Sequence, residues 1–307
     1  MSSRTEPATT LALLLILFAA AMPLLAQEVD VPVEEAPAME APAPTEDDPV
    51  DRADLTEVNE LVLEGAYAEA EAMLAAIQEE FPDDPRVLMM RGEVLLALGR
   101  MDDALPELRR CVEIDPERPR LNFQLATALQ AVGDHPGAVE AFGREIELND
   151  DPQIKVMAHL NRYVLREQEK DWSGAVDELE AVLALDPTRL EVYGEIASIH
   201  LKAGRLDDAS ARLKAGMEAG FRSARHMYSL GARYLKEKAY APAAEAFGTA
   251  LEIDPSFADA ERSLAVALDQ LGRGDEAVQH FRRYLELRPD APDSQQIAEW
   301  IREAGGS

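Results

Sequence analysis

The chain has 307 residues, of which 59 are acidic and 30 are basic, and its formal net charge at pH 7 is -29. A protein that binds nucleic acid through phosphate contacts needs clustered Lys and Arg. The sequence has no such cluster, so we expect no nucleic-acid partner. A single cysteine, Cys111, excludes an intramolecular disulfide.

Residues 1–26 are predicted to be an export signal. Arg4 lies in a short polar lead, an apolar run follows over residues 10–26, and the polar Gln27 comes directly after it. A cleaved signal peptide and an uncleaved anchor both fit, because a run of about 17 residues is at the short limit for a membrane span. No cysteine follows the run, so a lipoprotein acyl anchor is excluded. We expect the rest of the chain to be exported, periplasmic or otherwise extracytoplasmic; the alternative is anchoring in the inner membrane by residues 10–26.

Residues 27–51 form an acidic segment rich in proline and alanine. It carries nine acidic residues and no basic one, and it contains five prolines: Pro32, Pro37, Pro42, Pro44 and Pro49. Like charges repel and proline opposes regular structure, so a segment of this composition cannot bury enough apolar surface to fold alone. We predict a disordered linker that separates the export segment from the remainder of the chain.

A regular repeat follows the linker. Seven alanines are spaced 34 residues apart, with one 37-residue step: Ala70, Ala104, Ala138, Ala175, Ala209, Ala243 and Ala277. A large apolar residue follows each of them by four positions: Leu74, Leu108, Phe142, Leu179, Leu213, Phe247 and Phe281. Residues four apart share one stripe of a helix, so the small residue permits close approach and the large one fills the adjacent space. The pattern predicts a tandem array of packed helices.

Glycines and prolines mark where the helices of this array end. Five units carry glycine at the turn between their two helices: Gly65, Gly99, Gly133, Gly204 and Gly272. Glycine adopts a positive φ there readily, whereas Lys170 and Lys238 stand at the other two turns. Proline recurs at the unit ends, where it stops one helix and helps to start the next: Pro82, Pro116, Pro187, Pro255 and Pro289.

This period and pattern resemble the tetratricopeptide repeat, a helix-turn-helix unit that stacks into a solenoid. The resemblance implies an all-α, right-handed α-solenoid of about seven helix-turn-helix units over residues 52–291. The units are predicted at residues 51–84, 85–118, 119–152, 156–189, 190–223, 224–257 and 258–291. A single unit cannot bury its apolar face, so its stability depends on stacking against its neighbours.

The carboxy-terminal residues 292–307 are predicted to form a capping helix and tail. Ile297, Trp300, Ile301 and Ala304 share one helical stripe, and polar residues occupy the opposite side. Such a helix covers the apolar end of the stack and presents a polar surface to water.

The fourth unit is irregular. Three extra residues precede it, and Tyr163 and Lys170 stand where small residues or glycine are usual. Pro152 follows Asp151, which is the pattern of a capped helix start with proline in the first turn. We therefore predict that the first helix of this unit begins about one turn early.

The sequence carries no pattern of catalytic or cofactor-binding residues. The five histidines are scattered through different units, and no pair has the spacing of a metal site: His135, His159, His200, His226 and His280. A glycine-rich phosphate loop, a nucleophile elbow and a protease metal motif are all missing. We interpret the chain as non-enzymatic, without cofactor or metal, and we expect Cys111 to be buried and inert.

The resemblance implies a partner site on the concave face, which the first helix of every unit lines. The second place of the first three units holds arginine: Arg52, Arg86 and Arg120. Stacked units would bring these side chains into a row. They would then either grip a partner's carboxylates through forked hydrogen bonds or pair with the protein's own acids, such as Asp84.

Apolar and amide side chains accompany this row on the first helices of units one to four. The candidates are Asn59, Met89, Met90, Phe123, Gln124, Thr127 and Asn161. Methionine and aromatic side chains adapt to many surfaces, and amides and hydroxyls can bond a peptide backbone. This composition would suit an extended peptide or a partner helix, unless the apolar members pack within the solenoid.

The sequence therefore predicts a non-enzymatic scaffold that binds a partner polypeptide in its groove, in the assembly of a cell-envelope complex. Two alternatives remain open: a membrane-tethered structural spacer, and an accessory regulatory subunit of an enzyme encoded elsewhere. The expected partner is a protein or peptide, with membrane contact only through a possible amino-terminal anchor. The oligomeric state is left open.

Overall fold

The computed structural model describes residues 53–118 and 120–304, which form fifteen α-helices and no β-strand. The helices are α1 (Thr56–Leu63), α2 (Tyr67–Glu80), α3 (Pro85–Ala97), α4 (Met101–Ile114), α5 (Leu121–Ala131), α6 (His135–Leu148), α7 (Pro152–Gln168), α8 (Trp172–Leu185), α9 (Glu191–Lys202), α10 (Leu206–Ala219), α11 (Ala224–Lys236), α12 (Tyr240–Ile253), α13 (Ala258–Gln270), α14 (Gly274–Leu287) and α15 (Ser294–Ala304). The predictions for residues 1–26, residues 27–51 and Arg52 lie outside these described residues.

The predicted all-α architecture is confirmed. The chain divides into two compact units, with the boundary in sequence between Leu165 and Arg166. In the first, α3 packs on α4 and α5 on α6; in the second, α9 packs on α10, α11 on α12 and α13 on α14. Each of these pairs also contacts the pair before or after it, so each compact unit is a stack of helix pairs. The right-handed sense of the stack stays a prediction.

The periodic alanines and the large residues that follow them form the core, as predicted. All seven alanines have 0% exposure, and none of the seven Leu and Phe partners exceeds 7%. A small residue on the first helix makes room for the large one. A Cβ atom added to Gly92 on α3 would stand 2.5 Å from Cδ2 of Leu108 on α4. The backbones can approach closely because that Cβ is missing.

The turns within the pairs share one backbone geometry even where the sequence departs from glycine. The five glycines at these turns have φ between 73° and 83°, while Lys170 and Lys238 have φ of 61° and 62°. A left-handed conformation costs a non-glycine residue about 1–2 kcal/mol. The packing of the two helices therefore holds these lysines in a conformation that they do not prefer.

The early start of the fourth unit's first helix is confirmed. Helix α7 begins at Pro152 and has 17 residues, against 12 in α9. The Oδ1 atom of Asp151 accepts a hydrogen bond of 2.8 Å from the N–H of Gln153, which caps the helix. No helix within the described ranges has the length and apolar character to cross a bilayer.

The capping helix is confirmed as α15. Ile297 is buried, and the ring of Trp300 packs edge-on against Phe281 with 4.9 Å between centroids. Just before the helix, Asp293 accepts hydrogen bonds from Tyr284 at 2.9 Å and Arg262 at 2.5 Å. These contacts hold α15 over the end of the last helix pair.

Candidate functional site

The predicted partner-binding residues lie on first helices of the amino-terminal pairs. Helix α1 carries Asn59, and α7 carries Asn161. The others belong to α3, to α5 or to the residue that precedes α5: Arg86, Met89, Met90, Arg120, Phe123, Gln124 and Thr127. We call the surface made by these side chains of α1, α3 and α5 the first-helix face. Helices α3 and α5 contact each other, so their candidates are neighbours.

The apolar candidates are shared between core and surface. Met89, Met90 and Phe123 are each half-buried, and all three pack against buried clusters. The ring of Phe123 meets the fully buried ring of Phe142 edge-on, at a centroid distance of 5.1 Å. Each of the three side chains therefore supports the solenoid and leaves only part of its surface for a partner.

Arg86 is held by its own protein. Its guanidinium forms a 2.6 Å ion pair with Asp84, and the same nitrogen, Nη2, donates to the carbonyl oxygen of Ala53 at 3.2 Å. Burial opposes ionisation of Asp84, but hydrogen bonds from Arg86 outweigh it and hold the pKa of that carboxyl below its ordinary value. Of the two roles weighed for the arginine row, pairing with internal acids is the one observed at Arg86.

Arg120 is positioned by a carboxylate of the following helix. Glu145 on α6 has 1% exposure, and its two oxygens accept the backbone N–H groups of Arg120 at 3.0 Å and Phe123 at 3.3 Å. Asn149 donates to the same carboxylate at 2.7 Å. The side chain of Arg120, the N-cap residue, does not cap α5, and Glu145 accepts N–H groups at the start of the helix instead. The Arg120 side chain itself is exposed.

A half-buried acid, which sequence reasoning missed, joins α3 to α5. Glu93 accepts a hydrogen bond from Nε2 of Gln124. Burial raises the pKa of Glu93, although the Gln124 hydrogen bond and the charge of Arg120 act in the opposite direction. A signal was available, because Glu93 occupies the ninth place of its unit, where the first and third units have Asn59 and Thr127.

The polar candidates differ in the groups that they leave for a partner. Thr127 donates its hydroxyl to the carbonyl oxygen of Phe123 at 2.9 Å, and Asn161 donates an amide N–H to Met157 at 2.8 Å. The Thr127 hydroxyl thus donates within its own helix, and its oxygen, at an exposed position, can still accept. Oε1 of Gln124 is buried without a hydrogen-bond partner, out of reach of a bound chain. The face can therefore receive an N–H group at Thr127.

Metal binding and thiol chemistry have little support within the described residues. Among residues 53–118 and 120–304, no three His, Cys, Asp or Glu side chains are grouped so as to hold a metal ion. Burial raises the pKa of the Cys111 thiol to about 11, and the thiol donates to the carbonyl oxygen of Pro85 at 3.2 Å. A thiol with so high a pKa is a poor nucleophile at neutral pH.

Comparison with protein families finds one kind of repeat. Two family models described as tetratricopeptide repeat match the chain, one at residues 55–119 and the other twice in succession, at residues 167–233 and 234–301. Neither describes a catalytic family. Among curated proteins, none matches the sequence.

Three solved structures illustrate the fold to which this chain is similar. A structure titled as Naa15/Naa10 bound to HypK-THB has a TM-score of 0.61 at 16% identity, covering 81% of this chain and 38% of that one. A tetratricopeptide repeat protein from Parabacteroides merdae has a TM-score of 0.47 at 13% identity, covering 81% and 97%. YrrB, described as a TPR protein with an unusual peptide-binding site, has a TM-score of 0.42 at 16% identity, covering 65% and 98%. At these identities the similarity concerns the fold alone.

Proposed function

We propose that this chain, which belongs to the tetratricopeptide repeat family, binds a partner polypeptide along its first-helix face and does so without enzymatic activity. The family membership supports the coarser role of a protein-interaction scaffold. The structure of Naa15/Naa10 bound to HypK-THB is an example of a similar fold in a complex with another protein.

The observation that carries the proposal is the mixture of side chains on α3 and α5. Half-buried Met89, Met90 and Phe123 supply adaptable apolar surface. The exposed hydroxyl oxygen of Thr127 supplies an acceptor beside it, because its hydrogen is donated to the carbonyl oxygen of Phe123.

The partner that fits this face is an extended peptide or a helix with exposed donors. A bound chain would place apolar side chains against Met89 and Met90 and direct a backbone or side-chain N–H group at the Thr127 hydroxyl oxygen. Arg120, whose side chain is exposed, would pair with a carboxylate of the partner. Arg86 would contribute less, since it is already bound to Asp84.

The proposed setting is outside the cytoplasm, where the scaffold would help to assemble or organise a cell-envelope complex. The apolar run at residues 10–26 and the acidic linker at residues 27–51 support this setting. Determining the amino-terminal mass of the protein isolated from its source distinguishes a cleaved signal from a retained anchor.

The binding proposal is tested by crosslinking in cells followed by mass spectrometry. Two exposed positions of the first-helix face are changed together, Asn59→Arg and Thr127→Arg, which adds bulk and charge without entering the core. The matched control carries Ala68→Arg and Ala76→Arg, two exposed positions of α2. We expect a partner protein that crosslinks to the wild type and to the control and is lost from the face variant.

Two other results would replace the proposal. Equal crosslinking of the wild type and the face variant would favour a structural spacer that does not use this face. Copurification of an enzymatic activity with the wild type would favour an accessory regulatory subunit, if the enzyme responsible crosslinks equally to the wild type and to the face variant.

A further inference from the structure

The described part of the chain contains a pocket far along the sequence from the first-helix face, among α12, α13 and α14. Its volume is about 340 Å³. Helix α13 packs against both α12 and α14, and residues of all three helices and of the turn between α13 and α14 line the pocket. The lining residues are Ala241, Ala244, Glu245, Leu264, Leu268, Leu271, Arg273, Glu276 and His280.

The floor of the pocket is apolar and the mouth is open. Ala244, Leu264 and Leu268 are buried, whereas Ala241 is exposed and Leu271 is 38% exposed. A large apolar residue exposed beside a concave apolar floor is a common feature of interaction sites. The shape and lining suit one large side chain inserted from a partner.

The mouth carries two carboxylates that remain in contact with water. The side chains of Glu245 and Glu276 are 67% and 50% exposed. Arg273 donates Nε and Nη2 to the two oxygens of Glu276, each at 2.7 Å, and Lys214 lies 3.4 Å from Glu245. The fourth polar lining residue, His280, contacts Glu261 at 2.6 Å. The pair formed by Glu245 is long and solvated, so an incoming cation can replace Lys214 there.

A second copy of this chain is a poor occupant for such a mouth. Outside the pocket, the large apolar residues that the described part exposes are Leu63, Ile114 and Val132. Leu63, at 83% exposure, is followed by Glu64. Ile114 lies between Glu113 and Asp115, and Val132 stands two residues before Asp134. Each would bring a carboxylate toward Glu245, and the whole chain carries a net charge of -29.

We propose that this pocket docks a partner polypeptide that presents a large apolar side chain next to a lysine or arginine. The apolar side chain would insert over Leu264 and Leu268. The neighbouring cation would bind Glu245 at the mouth, where it adds specificity and attraction at a distance. This surface uses residues of α12 to α14 only, so the inference goes beyond the first-helix face and does not depend on it.

The proposal is tested by selecting peptides on the full chain. A library of random dodecapeptides displayed on phage is panned against the protein, and enriched peptides are resynthesised with a fluorescent label for anisotropy titration. We expect enriched sequences that combine Leu, Ile, Met or Phe with an adjacent Lys or Arg. Affinity should decrease as salt increases.

Two pocket variants and two matched controls assign the binding site. Ala241→Trp fills the mouth from an exposed position, and Glu245→Lys reverses the charge. Ala241→Trp should weaken peptide binding at least about tenfold, since burial of one large apolar side chain accounts for that ratio. Glu245→Lys should weaken it by about two- to fivefold, because an exposed charge pair contributes little. The exposed controls Ala211→Trp on α10 and Glu252→Lys on α12 should leave affinity unchanged.

Three outcomes would overturn the proposal. The first is that the enriched peptides whose binding survives the paired Asn59→Arg and Thr127→Arg changes have a consensus that is acidic or lacks basic residues, or that no such peptide is enriched. The second is equal binding by the wild type, Ala241→Trp and Glu245→Lys, with circular dichroism showing that the variants are folded. The third is a concentration-dependent dimer in analytical ultracentrifugation that Ala241→Trp abolishes, which would assign the pocket to self-association.

Discussion

A Cβ atom added to Gly231 of α11 would stand 2.7 Å from Cε1 of Phe247 on α12, closer than carbon atoms pack. The Phe247 ring is fully buried, so it has little freedom to move away. Gly92 and Leu108 repeat the relationship in another unit. The missing side chain on the first helix thus sets how closely the second helix can lie.

This relationship predicts opposite effects for two glycine-to-alanine changes. Gly231→Ala should destabilise the protein by about 1–3 kcal/mol because the ring must shift within a filled core. Gly248→Ala on α12, where an added Cβ meets nothing within 4 Å, should stabilise it by about 0.5–1 kcal/mol through helix propensity. Urea unfolding of the two variants measures both. Equal stability of the two variants would contradict the close contact.

The left-handed backbone conformation of Lys170 and Lys238 predicts that glycine is the more stabilising residue at these two turns. Lys238 has φ of 62°. Lys238→Gly removes the backbone strain but adds freedom to the unfolded chain, so we expect a net gain of about 0.5–1 kcal/mol. Lys214→Gly, within helix α10, should lose a similar amount. Thermal unfolding distinguishes the two, and a loss of stability in Lys238→Gly would show that the lysine conformation is not strained.

Because the buried carboxylate of Glu145 caps α5, truncating this side chain should lower the stability of the protein strongly. Glu145→Ala leaves the N–H groups of Arg120 and Phe123 and the amide of Asn149 without their acceptor, and should cost about 2–4 kcal/mol. Glu147→Ala, an exposed position of the same helix, should change stability by less than about 0.5 kcal/mol. Hydrogen exchange at the backbone of residues 120–123 should accelerate in the first variant only, and unchanged exchange there would argue against the cap.

The raised pKa of Glu93 predicts that Glu93→Gln increases the stability of the fold by an amount that depends on pH. At pH 7 the half-buried carboxylate opposes folding because its pKa is raised in the folded state, and the neutral amide removes this penalty while it can still accept from Gln124. The folded state takes up its proton at a higher pH than the unfolded chain. The advantage of the variant should therefore shrink as the pH falls through the raised pKa and level off below the ordinary value of 4.5. Urea unfolding at several pH values measures it, with exposed Glu79→Gln as control.

The buried thiol predicts that Cys111 does not react in the folded protein. Its raised pKa and its 0% exposure should prevent reaction with Ellman's reagent at mildly alkaline pH, whereas the chain in denaturing urea should release one equivalent. Thr127→Cys places a thiol at an exposed position and should react rapidly. Rapid labelling of the folded wild type would contradict the packing around α4.

The sequence predicted well the features that follow from its periodicity and from local backbone signals. The spacing of Ala243 and Phe247 determined which side of α12 is buried, because residues four apart share a stripe in any helix. Pro152 and Asp151 determined where α7 starts, because their effect on the backbone is local. These signals predicted the helices, the core positions and the cap, and through them the family.

The candidate site was harder to predict, because it depends on contacts between residues that are distant in sequence. Glu93 and Gln124 lie 31 positions apart, and Glu145 is 25 positions from Arg120. Their burial and hydrogen bonds are not visible in a periodic pattern.

The sequence by itself determined the repeat, its helices and its core, because helix periodicity and turn chemistry act over a few residues. Only the tertiary structure decided which polar groups are buried, which arginine is already paired, and where a pocket opens among α12, α13 and α14. Those properties arise when neighbouring pairs exclude water from some side chains and leave others exposed. Composition and spacing do not specify that outcome, because it depends on how the pairs pack.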